Sequence, residues 1–595
     1  MAKLAKPGQQ VLLEPKDLSH HFSEVTKNRH PSQIKEYYKF FQIPGMGNLA
    51  GGMPHPSLFP FDTLEAQAAK PERWAPTPNY PPSSGAAASR GDGAKEDPVS
   101  ASSHIAVPKY SAESNPLHKI DLGTALQYGT AEGYPPLLSF VRQFAREVLH
   151  PNVPYRGGAE VIMTSGSTDG FSKTLELLTN TWSENTGSDI RDKPGLLCET
   201  FIYSNVLSQA EPRGMNIVTV EMDQVGMRSS GPGGLASVLR NWDTTKGKRP
   251  HILYTVTMGH NPTGGVLPME RRKEIYAICH EFDVIIVEDD PYWYLQFPSA
   301  ANHEALSRGL PETTPAPAVK PEKSSGFEFI DSLVPSFLSI DVDGRVVHLD
   351  TFSKTVAPGC RLGWITAQPR FIERYGRISE TAAQQPSGFV QAMMAQLLLG
   401  QQTETIRTFF SLTPTERKTF TGWSMAGWVR WLEGLRGVYE RRMVRMCTIL
   451  DAAKDGIRDV PAGGDSVMVF KSPVMSFSWP RGGMFAWVKV YLARHPCFGK
   501  KGPTIPTITG RHLSDAMLSL LTKEEYRVLP APGAMFAANQ KIREERAWSY
   551  FRLCFAAETD DRVDDCSRRF GAGVRAFFEI RSVALIEELL KEGGL

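Results

Sequence analysis

Residues 284–292 read Val284-Ile285-Ile286-Val287-Glu288-Asp289-Asp290-Pro291-Tyr292, and residues 345–364 read RVVHLDTFSKTVAPGCRLGW. In each stretch a short β-rich apolar run stops at a cluster of charged and hydroxyl side chains. A strand that is apolar on both faces belongs in a sheet covered on both sides, which is the habit of parallel sheets. Four more such runs lie upstream, at 160–165 (EVIMTS), 195–199 (GLLCE), 216–220 (NIVTV) and 252–256 (ILYTV). Helical patterns such as 170–180 and 270–282 stand between them. The alternation predicts an α/β domain with a mostly parallel central sheet flanked by helices. From about Gly434 long helical stretches (434–454, 512–521, 561–579) mix with a few strand-like runs, which predicts a second, smaller α+β unit.

The 595 residues are enough for several folding units. Lys and Arg total 66 against 64 Asp and Glu, so the net charge is +2, which argues against polyanion binding as the main function and predicts no nucleic-acid partner. Aliphatic runs such as 284–287 fall far short of a membrane span. No apolar stretch follows the two lysines near the start, so no secretory signal is expected. The seven cysteines form no CxxC pair, which points to neither a disulfide framework nor a zinc cluster. The expectation is a soluble, cytoplasmic protein with reduced thiols and no metal. Residues 75–103, 299–325 and 460–483 are rich in Pro, Ser and Gly and read as surface insertions or flexible loops.

Ligands of open α/β sheets bind beyond the carboxyl ends of the strands, and the unusual motifs fall there. The first run leads into Gly166-Ser167-Thr168 and a helix, a candidate anion cradle, although taken alone it is an ordinary cap. The 252–256 run leads into Gly259-His260-Asn261-Pro262-Thr263-Gly264, in isolation an ordinary turn. Asp289 and Asp290 at a buried strand end need a cationic partner. Lys354 and Arg361 at another strand end invite a phosphate and a reactive carbonyl. No HExxH motif, Walker loop or GxSxG elbow is present.

In this order the motifs NPTG, DDPY and SK…PGCRLGW resemble the fold-type I pyridoxal-phosphate (PLP) aminotransferases of class I/II. The nearest branch holds fungal aromatic amino acid aminotransferases and kynurenine/2-aminoadipate aminotransferases. The resemblance spans most of the chain, from Lys16-Asp17-Leu18-Ser19 through 37–60 and Leu126-Gln127-Tyr128-Gly129 to Tyr550-Phe551-Arg552-Leu553. It implies a large PLP-binding domain at 116–400 with an insertion at 299–330, and a small domain from 1–74 and 434–595. Further insertions are implied at 75–115 and 401–433.

The same resemblance implies the roles at the site. Lys354 is the Schiff-base amine and proton shuttle, and Asp289 holds the protonated pyridine nitrogen, with Asp290 left to a structural duty. Tyr292 and Asn261 share the ring's phenolic oxygen, and Tyr203 stacks on the ring. Ser167, Thr168, Thr351, Ser353 and Arg361 receive the phosphate. Thr351 departs from the family's serine by one methyl group. Tyr128 reaches the phosphate from a neighbouring subunit, which implies a homodimer. Arg552 grips the substrate carboxylate, with Asn261 and the backbone of Gly52 close to it.

The activity implied is transfer of an amino group from an aromatic L-amino acid to a 2-oxo acid such as 2-oxoglutarate. Alternatives are 2-aminoadipate or kynurenine as donor, and a β-lyase or decarboxylase on the same fold. A transcription regulator with an aminotransferase-like sensor needs a helix-turn-helix ahead of the fold, and the residues before Lys16 leave no room for one. Trp423, Trp428 and Trp431 in the 401–433 stretch suit a surface helix, an oligomer contact, or a lid over a bulky substrate.

Overall fold

The computed structural model describes residues 12–31, 53–73, 102–111, 120–312, 321–461 and 467–593. Gly52 and most of the 75–115 stretch lie outside them.

The central sheet has seven strands: β1 (Glu160–Thr164), β2 (Gly195–Glu199), β3 (Asn216–Val220), β4 (Ile252–Thr255), β5 (Ile285–Asp289), β6 (Val346–Thr351) and β7 (Gly363–Ala367). Their spatial order is β1-β7-β6-β5-β4-β2-β3. The pairs from β6 through β5, β4 and β2 to β3 are parallel, whereas β7 runs antiparallel to both β6 and β1. Two reversals cancel, so the carboxyl end of β1 lies on the same edge as those of the parallel strands. Six of these strands match the apolar runs of the sequence. The seventh, β7, is missed by that reading, because Gly363-Trp364 closes the RLGW motif and hides a strand start. All five of its residues are buried, as an interior strand requires.

Helix α1 (Ser167–Leu178) covers one face of the sheet and α2 (Met269–Glu281) the other. Phe171 and Leu175 of α1 share a core with Ile162, Leu349 and Ile365. Ile275 and Cys279 of α2 pack with Leu253, Ile286 and Val346. The first of these cores continues without a break into the C-terminal unit, taking in Met446, Val488, Leu513 and Phe577. That unit is a four-stranded antiparallel sheet of β8 (Met475–Phe477), β9 (Phe485–Val490), β10 (Ala531–Pro532) and β11 (Tyr550–Cys554), in the order β8-β9-β11-β10.

Two of the expected loops carry regular elements among their described residues, and a stretch expected as an insertion packs into the core. In the 299–325 stretch, α3 (Ala300–Ser307) is a helix docked on α4 (Ala426–Ala453). The Ser299 amide donates to Glu440 at 2.9 Å and Arg308 Nε to Asp451 at 3.1 Å. In the 460–483 stretch, Asp455–Pro461 pairs antiparallel with Val467–Pro473, and β8 follows. Composition misleads here, because backbone pairing and ion pairs hold segments that carry little apolar surface.

The third is the 401–433 stretch. Trp423 and Trp428 are buried, not displayed on a surface helix, and they pack with Phe144, Phe352 and Phe409. Helix α4 starts at Ala426, inside this supposed insertion, and runs unbroken past Gly434.

Candidate active site

The functional side chains gather where the sheet's carboxyl edge meets the C-terminal unit. Asp289 ends β5 and is buried. Its Oδ2 accepts a 2.7 Å hydrogen bond from the Tyr254 hydroxyl, while Oδ1 has no partner. Burial pushes this carboxyl up to about 6, against the pull of the Tyr254 hydrogen bond. An acid with one free oxygen in such a place is suited to a cationic N–H donor.

Asp290 points the other way, as strand alternation requires. It accepts from the amides of Thr257 at 2.9 Å and Met258 at 3.2 Å, and from the Thr257 hydroxyl at 2.7 Å. It therefore fastens the loop that leads to Asn261, the structural duty expected of it.

Lys354 closes the single 3-10 turn Phe352–Lys354 directly after β6. Its ammonium stands 5.8 Å over the Tyr292 ring. Burial lowers its pKa, Arg552 and Arg361 press the same way, and Cys554 and Asp289 oppose them. A lowered pKa leaves more of the amine neutral and nucleophilic. Tyr292 is buried, edge-on to Phe485 at 5.8 Å. Burial raises its phenol, as does the nearby Asp289.

Around the start of α1 the chain builds an anion cradle. Gly166 precedes the helix at φ +101°, which favours glycine, and a Cβ there would meet Arg361 Nη2 at 2.7 Å and push that guanidinium aside. Arg361, itself at φ 46°, donates to the carbonyls of Ser165 (3.1 Å) and Pro358 (2.8 Å), and its Nη1 lies 3.4 Å from Ser353 Oγ. The Ser167 hydroxyl is buried without a partner, and Thr168 is exposed. The Thr351 hydroxyl donates to the Leu362 carbonyl (3.1 Å) and meets Ser353 Oγ at 2.8 Å, beside this cradle.

Arg552 lies on β11, where half-buried Tyr550, Arg552 and Cys554 alternate with buried Phe551 and Leu553. Its guanidinium sits 4.1 Å from the Phe485 ring and 4.6 Å from the Phe536 ring. Nη1 donates to Asn261 Oδ1 at 2.8 Å, and Nε has no partner. A guanidinium between two rings is shielded from water and keeps a donor edge for a carboxylate. Tyr203 is half-buried, its hydroxyl accepting from Asn205 at 3.3 Å. Tyr128 is exposed in the single chain. His260 is buried, 3.0 Å from the Thr263 hydroxyl, and burial lowers it to about 3, which suits a neutral loop residue.

Sequence reading misses Tyr254, Cys554 and the Phe485–Phe536 pair. Nothing in ILYTV marks a tyrosine as more than core, and the phenylalanines sit far from any motif.

A family model described as aminotransferase class I and II matches residues 100–413. The chain belongs to this family. An aromatic amino acid aminotransferase of Schizosaccharomyces pombe is 32% identical to this aminotransferase over 94% of the chain and 98% of the relative. An L-tyrosine:2-oxoglutarate aminotransferase of Tapinella panuoides is 31% identical over 95% of the chain and 97% of its own length. Among solved structures, aminotransferase Aro8 from Candida albicans superposes with a TM-score of 0.69 at 30% identity, covering 96% of this chain and 100% of that one. The expected α/β architecture and transferase class therefore stand. Among the described residues no helix is long and apolar enough to cross a membrane.

Proposed function

We propose that this aminotransferase binds PLP and moves the amino group of phenylalanine, tyrosine or tryptophan to a 2-oxo acid such as 2-oxoglutarate. The observation that carries the cofactor reading is the set of unsatisfied polar atoms at one edge of the sheet: Asp289 Oδ1, the Ser167 hydroxyl and Arg552 Nε. These atoms fit a pyridinium N–H, a phosphate and a substrate carboxylate. The names borne by the S. pombe and T. panuoides relatives support aromatic donors.

Asp289 would hold the ring nitrogen, and the start of α1, with Ser353 and Arg361, would hold the phosphate. Tyr292 and Asn261 would border the ring, Tyr203 would stack on it, and the Thr351 hydroxyl would join Ser353 at the phosphate. Bound PLP supplies an aldehyde that receives the amino group and a ring that accepts the electron pair left at the substrate Cα. Arg552 fixes the α-carboxylate, and its flanking rings keep water off the ion pair and so strengthen it. Lys354, its proton affinity lowered by burial, takes the Cα proton on Nζ and returns it on the far side of the transfer. Gly52 keeps its place in the proposal as the backbone beside that carboxylate.

The test is a half-reaction screen read by the cofactor's absorbance, with formation of the 2-oxo acid assayed beside it. Aromatic donors are expected to convert fastest, and Lys354→Ala is expected to lose turnover by about 10²–10⁴-fold. A tenfold faster aliphatic or acidic donor overturns the substrate assignment. Release of ammonia or carbon dioxide in place of transfer overturns transamination.

The proposal extends to a homodimer in which Tyr128 of each chain serves the other's phosphate, supported by the exposure of that ring in the isolated chain. Residence in the cytoplasm is part of the same reading. Seven unpaired cysteines, four of them buried, suit a reducing compartment. Imaging of a fluorescent fusion tests it.

A further inference from the structure

The face of β5 and β6 turned away from α1 carries charges that the reaction above does not use. Asp289 and Leu349 are paired in register, and Leu349 packs on α1 at Gly170. Glu288 pairs with His348 one position back. Alternation therefore sends Glu288, Asp290, His348 and Asp350 to the opposite face, where each is at most 1% exposed.

Glu288 is well supplied with partners. Arg272 of α2, itself fully buried, pairs with Oε1, which also lies 2.8 Å from the Thr257 hydroxyl shared with Asp290, and the Phe337 amide reaches Oε2 at 3.0 Å. Asp350 is not: neither of its oxygens has a hydrogen-bond partner. The ring of His348 lies between the two acids, with Nδ1 3.0 Å from Glu288 Oε2, and Nε2, which makes no hydrogen bond, at an ion-pair distance of 3.2 Å from Asp350 Oδ2.

The other groups packed around His348 carry no positive charge to Asp350. His150 stands edge-on at 4.7 Å with Nδ1 engaged by the Ser336 hydroxyl at 3.0 Å. Burial and the neighbouring His348 both push His150 well down, so it is neutral. Thr366 lies opposite His348 on β7, and the buried Tyr294 hydroxyl has no partner. Asp290 is raised to about 8 by burial and by Glu288. A neutral imidazole that donates its one N–H to Glu288 offers Asp350 no charge, whereas an imidazolium stands as a cation beside both acids.

We propose that His348 is held as an imidazolium between Glu288 and Asp350, a buried cation that positions the strand ends bearing Asp289 and Lys354. The two carboxylates raise its proton affinity well above the ordinary value although burial opposes them. Asp350 directly precedes the Thr351–Lys354 turn, so its uncompensated charge would disturb that turn first. The same pair acts on Asp289, whose carboxyl His348 lowers and Asp350 raises. Without the cation, Asp289 would protonate more readily and hold a pyridinium less well. This last consequence rests on the PLP reading, whereas the protonation state does not.

A metal is the competing occupant, because ligand atoms of His150, His348 and Asp350 lie within 4.8 Å of one another. Coordination through Nε2 requires that nitrogen to be unprotonated, so the two states exclude each other.

The first experiment uses apoprotein labelled with ¹⁵N-histidine, the His348 signals being assigned by their loss in His348→Gln. Both ring nitrogens are expected to stay protonated from about pH 6 to 9, far above an ordinary histidine. A midpoint below about pH 7, or one bare nitrogen, overturns the proposal. So does a stoichiometric divalent metal in the purified protein whose chelation changes these signals. The second experiment titrates apoprotein with PLP. His348→Gln is expected to bind about tenfold more weakly, the equivalent of one pKa unit lost at Asp289, and His348→Arg to recover most of the difference. Equal affinity of wild type and His348→Gln overturns the positioning role. If the variants do not fold, the wild-type spectrum decides. If the wild type does not bind PLP, the assigned function fails while the protonation result stands.

Discussion

Burial holds the Asp289 carboxyl up although the Tyr254 hydroxyl favours its charged form. Its carboxyl, at about 6, lies above the value of about 3.8 for the unfolded chain. The apoprotein therefore binds this proton more tightly than the unfolded chain does, and stability falls as pH rises between those two values. The loss, on the order of 2–3 kcal/mol, is complete above pH 6. Asp289→Asn removes the buried charge, so its apoprotein is expected to melt above wild type at pH 7.5 and level with it near pH 4. Calorimetry of both at the two pH values checks this. PLP affinity should move the other way, rising for wild type as pH climbs through about 6 and staying weak in the variant. Gly166→Ala tests the opposite end of the site. A methyl group at φ +101°, 2.7 Å from Arg361 Nη2, has to displace that guanidinium. The expected result is at least about tenfold weaker PLP binding, with a backbone-strain cost of about 1–3 kcal/mol in stability. Unchanged affinity in fluorescence titration would count against the cradle.

At the scale of elements, the Lys354 turn is supported from the side that the sequence presents as an insertion. Trp428 at the head of α4 lies 5.8 Å from the Phe352 ring, and Trp431 Nε1 donates to the Thr355 carbonyl at 2.8 Å. Trp428→Ala empties a core position and is expected to cost about 3–5 kcal/mol. Trp431→Phe keeps most of the ring and loses only the hydrogen bond to the segment after Lys354. It is expected to lower kcat several-fold with KM little changed, and an unaltered kcat would dissociate α4 from the turn. The strand-end motifs are legible in the sequence because apolar runs and turn chemistry are local signals. Asp289 ends β5, Lys354 lies three residues past β6, and Asn261 and Arg361 lie in the loops six and ten residues past β4 and β6. What is not legible is what reaches the site from a distance. Tyr254 has the pattern of core, Phe485 and Phe536 matter only once Arg552 lies between them, and the tryptophans carry no sign of what they cover. β7 is hidden because its first residues also belong to a motif.

The whole molecule is tied together by the apolar seam that passes from the central sheet into the C-terminal unit, with α4 threading two of the clusters. Its proposed assembly is testable at this scale. Light scattering on the purified protein should give twice the chain mass of 65.9 kDa. Mixing inactive Lys354→Ala with Tyr128→Phe chains should yield hybrids in which one site is fully wild type, and activity above the sum of the parents is the expected sign of a shared site. A monomer that turns over at full rate would remove Tyr128 from the proposal.

The same threading has a bearing on biogenesis. The lysine turn is emitted by the ribosome before α4, and the arginine with its two aromatic plates emerges later still. A nascent chain therefore carries the Lys354 turn before the tryptophans that pack against it have been made.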